Sequence, residues 1–377
     1  MTFAELGLLP PLVTALTTEK IGEPMPIQVE AMPVLLAGTS AYLNSETGTG
    51  KTLAYLLPLF QRIDLQLAAT QIIVVVPTHE LAIQIQRQAG TLAVNAGLPI
   101  RSVLLIGGTQ MERQIDKLKK KPQVVIGSPG RINEMIAMGK LKTAQTKSVV
   151  LDEADRLLAA ESLAAIRQII AATPANRQLV FVSATEHDDA SREAEALAPG
   201  LVMVRAGAAQ VNRDIQHLYL VCEERDKPDW LRKLVRAMNP ERALVFVHRN
   251  EVAEVVAAKL AHHKIATADL HGAFTKEKRK QAMDDFRAAR VNVMIASDIA
   301  ARGLDIKGVT HVFNFDIPSD GKAYLHRVGR TARAGAKGFA ITLLTEREQR
   351  LVQRFEEDLG ITLTPICLRD GEVFIDA

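Results

Sequence analysis

Short, almost wholly apolar runs recur along the chain, each followed by a stretch long enough to form a helix. QIIVVVPT (71–78), RSVLLIGG (101–108), PQVVIGSPG (122–130), KSVVLDEAD (147–155) and RQLVFVSAT (177–185) form a first set. RALVFVHRN (242–250), VNVMIASD (291–298), THVFNFD (310–316) and GFAITLL (338–344) restart the pattern. A strand that is apolar on both faces needs helices above and below it, so these runs read as the buried strands of parallel sheets. The restart predicts two α/β domains in tandem. A length of 377 residues supports that count, since a domain takes roughly 100–200 residues.

Between the two sets, 198–215 is rich in small residues and has no helical period, which places a linker at 206–212 between domains at 1–205 and 213–377. Apolar residues are 47% of the chain, charged residues 24% and aromatics only 4%, a globular composition in which aliphatic side chains do the packing. Residues 1–205 hold 19 Lys and Arg against 19 Asp and Glu, so the whole net charge of +3 lies in the second half. That excess points to phosphate contact there. No signal peptide or membrane-spanning run is readable, and a cytoplasmic location is expected. Cys222 and Cys367 are isolated, which suits neither a disulfide nor a zinc site.

Ligands of such sheets gather beyond the carboxyl ends of the strands. Ser45-Glu46-Thr47-Gly48-Thr49-Gly50-Lys51-Thr52 follows the phosphate-cradling P-loop, except that Ser45 stands where the general pattern has Gly. Backbone N–H groups of Thr47, Gly48, Thr49 and Gly50 would wrap phosphate oxygens at a helix N-terminus, with Lys51 reaching the β/γ phosphates and the Thr52 hydroxyl meeting Mg²⁺. Asp152-Glu153-Ala154-Asp155 closes the run 147–151. Asp152 would hold Mg²⁺ and Glu153 would orient and deprotonate the attacking water. An acidic helix N-terminus explains those carboxylates equally well in isolation, but not beside a P-loop.

The spelling DEAD at 152–155, with further matching segments in order from Phe3 to Gly335, resembles the DEAD-box RNA helicases. That resemblance implies two tandem RecA-like domains, ATP and Mg²⁺ as cofactors, RNA as partner, and a monomer. It makes Phe3 and Gln28 adenine-reading residues, Gln28 offering one donor and one acceptor side by side. Ile21 stands where many members carry an aromatic that stacks on the base. Pro77 and Thr78, Gly108 and Thr109, and Gly130 and Arg131 lie in segments similar to those that hold the sugar-phosphate backbone, so sequence-independent RNA binding follows. His79 replaces an arginine in the first of these segments.

In the second half, Arg249 after a strand, Lys276 and Arg279 at a QxxR-like spacing, and Ser297 would continue the RNA track, with Lys276 in place of Gln. Gly303 and Asp305 look like the pair that approaches the ribose. His326-Arg327-Val328-Gly329-Arg330-Thr331-Ala332-Arg333 matches a motif whose last two arginines would reach the γ-phosphate. One helical turn apart, Arg330 and Arg333 are expected to share a face. Ala332 replaces a frequent Gly, a change expected to cost little. Ser183, Thr185, Asp155 and His326 would couple nucleotide state to strand separation. The function implied is an ATP-dependent RNA helicase that opens short duplexes by ATP-driven closure of its domains. The alternative is an ATP-gated RNA clamp or scaffold without productive unwinding.

Overall fold

The computed structural model of the chain describes residues 1–45, 49–108, 110–184, 188–205, 214–270, 276–298, 308–332 and 336–375. The chain divides into two compact units, Met1–Ala209 and Gln210–Ala377. The first unit carries strands β1 (Ala41–Asn44), β2 (Ile72–Val75), β3 (Ser102–Leu105), β4 (Val124–Gly127), β5 (Ser148–Asp152), β6 (Gln178–Ser183) and β7 (Val202–Arg205). They form one sheet in the order β3-β4-β2-β5-β6-β1-β7, with every pairing parallel. The five apolar runs of the first set supply β2 to β6. Their side chains alternate between two helical layers: Ile72 and Val74 enter one core, Ile73 and Val75 the other. Fully burying each such side chain stabilises by about 1.5–3 kcal/mol, which is why the runs are apolar without interruption.

The second unit carries β8 (Ile215–Val221), β9 (Ala243–Phe246), β10 (Thr267–Asp269), β11 (Val293–Ala296), β12 (His311–Asn314), β13 (Gly338–Leu344), β14 (Thr364–Arg369) and β15 (Glu372–Ile375). Their order is β10-β11-β9-β12-β13-β8-β14-β15, parallel except for the terminal hairpin of β14 and β15. The four runs of the second set are β9, β11, β12 and β13. Among the described residues no helix is long and apolar enough to cross a membrane.

Two buried histidines in this second sheet give its stability a pH dependence. Burial depresses the pKa of His217 and of His311 to about 4 from an ordinary value near 6.5. His217 shares a 2.7 Å hydrogen bond with the Tyr324 hydroxyl, and His311 stacks on Phe339 with ring centroids 4.8 Å apart. Between pH 4 and 6.5 the unfolded chain binds more protons at these sites than the folded chain, so stability falls as pH is lowered through that window. Denaturant melts of the second unit's signal from pH 7 to pH 4 should show that loss. A His217→Gln, His311→Gln chain should show a shallower one.

Candidate nucleotide and RNA sites

β1 delivers the chain to the P-loop and β5 delivers it to the acidic pair, both at the carboxyl edge of the first sheet. Ser45 N donates to Ser183 O at 3.2 Å, which ties the start of the loop to the end of β6. Ser45 Oγ donates to Thr49 Oγ1 at 2.7 Å, and Lys51 Nζ donates to the Ser45 carbonyl. Ser in place of the first glycine therefore closes the loop on itself. Gly50 takes φ +82°, and a Cβ there would lie 2.4 Å from Gln28 Nε2, so this position requires glycine on both counts. Lys51 and Thr52 open the helix Lys51–Gln61, while Thr47 and Gly48 lie outside the described residues.

Asp152 is 6% exposed. Burial raises its pKa to about 6; the Lys51 charge and a 3.0 Å hydrogen bond from the Tyr55 hydroxyl oppose that shift, and the Glu153 charge adds to it. Tyr55 was not legible as a site residue, because it falls inside an apolar helical run and its partner lies 97 positions away. Glu153 takes a left-handed φ of +58°, and its carboxylate meets Arg156 at 3.2 Å. Sharp turning at Glu153 sets its side chain apart from the strand line that Asp152 continues. Ser183 is 1% exposed and Asp155 is half-buried on the short helix after Glu153, while Thr185 lies outside the described residues.

The two residues expected at the adenine face are both buried in the first unit. Phe3 is 2% exposed and packs into the first core, so its ring holds the N-terminal segment in place. Gln28 is 2% exposed with its amide engaged by the protein: Oε1 accepts from Met25 N at 2.9 Å and Nε2 donates to Gly50 O at 3.1 Å. A buried amide has to find partners, and these two use one donor and one acceptor, leaving one of each. Ile21 is half-buried against the same core.

The segments expected to hold RNA converge at the same edge. Thr78 caps the helix His79–Asn95, its Oγ1 accepting from Leu81 N at 3.3 Å, and Pro77 precedes it half-buried. The His79 ring lies 3.7 Å from where a Gly107 Cβ would be, so the first two segments meet there. Gly108 has φ +64°, a conformation that favours glycine, and Thr109 lies outside the described residues. Gly130 and Arg131 start the helix Pro129–Ala137, where Arg131 pairs with Glu134 at 3.0 Å. Arg131 Nη1 is buried with no hydrogen-bond partner among the described residues.

In the second unit, Arg249 is exposed at the N-cap of the helix Asn250–His262 and Ser297 is half-buried after β11. Lys276 and Arg279 lie on the helix Lys276–Arg287; the Lys276 side chain, with Gly303, Asp305 and Arg333, is outside the described residues. The expectation that Arg330 sits on a helix face is corrected. The helix Gly321–Val328 ends with Gly329 as its C-cap, so Arg330 lies in the turn beyond. His326 remains on that helix, half-buried. Ala332 follows at φ +53°, where a Cβ costs roughly 1–2 kcal/mol, so replacing glycine there is not the cheap change expected.

The residue that sequence reasoning missed is Arg327, only 1% exposed. Its Nε and Nη2 donate to the two Asp298 oxygens, each at 2.7 Å, and its Nη1 donates to Asp316 O at 2.6 Å and Asn314 Oδ1 at 3.3 Å. Nη2 also lies 2.7 Å from His248 Nε2. A guanidinium only donates, so in this contact the ring nitrogen is on the accepting side. The helix bearing His326 is thereby fixed to the ends of β9, β11 and β12.

Comparison with known proteins agrees with this arrangement. A family model described as "DEAD/DEAH box helicase" matches residues 25–192, and one described as "Helicase conserved C-terminal domain" matches 226–335. The chain is 39% identical to the DEAD-box ATP-dependent RNA helicase CshC of Bacillus cereus, over 90% of this chain and 86% of that protein. It is 37% identical to the probable ATP-dependent RNA helicase YfmL of Bacillus subtilis, over 93% of each. Among solved structures, S. cerevisiae Dbp5 bound to RNA and ADP BeF3 superposes with a TM-score of 0.85 at 30% identity, covering 97% of this chain and 95% of that one.

Proposed function

Because the chain belongs to the DEAD-box helicase family, we propose that it is an ATP-dependent RNA helicase that binds RNA without reading its sequence and opens short duplexes locally. The observation that carries this reading is the convergence at one sheet edge of Lys51, Asp152 and Glu153 with the segments of Thr78, Gly107 and Arg131. Nucleotide chemistry and backbone recognition then share the loops of a single unit. Asp152 and Thr52 offer a carboxylate and a hydroxyl, hard oxygen donors of the kind Mg²⁺ takes. Bound there, Mg²⁺ would neutralise charge developing on the phosphates. Lys51 leaves the Ser45 carbonyl for the phosphates, and Glu153 orients the attacking water and accepts its proton. Arg131 and the amides around Gly108 hold phosphate oxygens and position the strand without selecting bases.

ATP-dependent closure of the two units drives strand separation in this reading, with Arg330 as the second unit's contribution to turnover. The test is ATP hydrolysis with no nucleic acid, with single-stranded RNA and with DNA of the same sequence. RNA should stimulate and DNA should not; equal stimulation by DNA removes the RNA-specific part. Release of a short annealed strand during turnover distinguishes a helicase from a clamp.

A further inference from the structure

The amino edge of the first sheet, opposite the nucleotide, is strongly charged although the first 205 residues are balanced. The loops that enter β2 to β6 from that side are 62–71, 96–101, 120–123, 138–147 and 172–177. Together they hold eight of the 19 cations and, in Asp64, one of the 19 acids. Arg62 and Arg177 are turned inward: Arg62 donates to Leu35 O and Gln178 Oε1, Arg177 to Pro174 O and Ala175 O. The other six, Arg101, Lys120, Lys121, Lys140, Lys142 and Lys147, are exposed, and none is ion-paired among the described residues. Like charges gathered with so little compensation repel one another, and a polyanion relieves that cost.

Backbone hydrogen bonds lock these loops side by side. Val124 N donates to Arg101 O, Gln71 N to Gln123 O, Lys147 N to Gln71 O and Gln178 N to Lys147 O. Arg101 and Lys147 are therefore separated by three strand steps, about 14 Å at the usual spacing, along a rigid edge. Lys121 stands in the left-handed region at φ +50°, where glycine would be easier.

We propose that this edge is a second, sequence-independent RNA contact, holding the phosphate backbone of RNA that extends beyond the strand engaged at the carboxyl edge. The proposal rests on the RNA reading above. A row of unpaired cations is what counterion release requires, whereas a protein interface would need an apolar centre between them. RNA must pass along the flank of the unit to reach it, about 25 Å for a helix the length of His79–Asn95. Short strands should not span that distance.

The test compares the wild-type chain with a Lys120→Gln, Lys121→Gly, Lys142→Gln, Lys147→Gln variant, none of these lysines donating a side-chain hydrogen bond among the described residues. Lys121→Gly also relieves the left-handed backbone, and a thermal melt of the variant matching the wild type separates weakened binding from lost folding. Affinity is measured by fluorescence anisotropy across salt concentrations, without nucleotide, for a short single strand and for the same strand with a long extension. We expect the variant to bind the extended RNA on the order of tenfold more weakly, with a salt slope shallower by about 3. Affinity for the short strand, and turnover stimulated by it, should be unchanged. An unaltered slope on the extended RNA overturns the proposal and leaves the edge to a protein; equal weakening on the short strand overturns it too. A wild-type chain whose turnover ignores RNA, but whose slope changes as expected, sinks the helicase reading and keeps this one.

Discussion

Replacing Glu153 with Gln lowers RNA-stimulated ATP turnover by about two to four orders of magnitude, the usual contribution of a positioned general base. Gln keeps the shape and can still hold a water, but it cannot take that water's proton at neutral pH. The structure separates this loss from unfolding. Glu153 pairs with Arg156 at 3.2 Å with side-chain exposures of 26% and 31%, and a pair so open to solvent contributes at most about 1 kcal/mol. The variant should melt with the wild type and still bind RNA, more tightly when ATP is present because turnover no longer releases it. Turnover within a factor of two or so of wild type would show that another group accepts the proton.

The second large effect is on stability. Arg327→Leu leaves the Asp298 carboxylate, the Asn314 carbonyl and the Asp316 backbone oxygen without their shared donor. Removing one partner of a buried ion pair costs roughly 3–5 kcal/mol, and the 30% exposure of Asp298 favours the lower end. For a unit of this size that lowers the melting temperature by about 10 °C. Arg330→Ala, three positions on and beyond the helix, should reduce turnover. Calorimetry of the full chain reads the stability loss; identical melts for Arg327→Leu and wild type would remove the anchoring role.

Strands buried on both faces were legible because nothing polar interrupts them, and the nine apolar runs became nine strands. β1 was passed over because only three apolar residues precede its asparagine. The hairpin of β14 and β15 was missed because it lies at a sheet edge, half-exposed and mixed in composition. At the site, the P-loop and acidic pair were readable because local spacing alone defines them. Arg327 was not. Clustered arginines read as a solvated or nucleic-acid-facing surface, and only the fold reveals that Asp298, Asn314 and Asp316 converge on this one. Helical spacing likewise suggested a shared face for Arg330 and Arg333, whereas Gly329 ends the helix before Arg330 is reached.

The Gln28 amide bridging Met25 and Gly50 couples two properties that an engineer would want to vary separately. Rewriting position 28 to accept another base also removes the strut beneath the phosphate loop. Gly50 cannot be altered in compensation, because its φ of +82° strains any residue that carries a Cβ. Broadened nucleotide choice would therefore arrive together with slacker phosphate binding, and a chain adapted to GTP would need a new brace built from residues outside this pair.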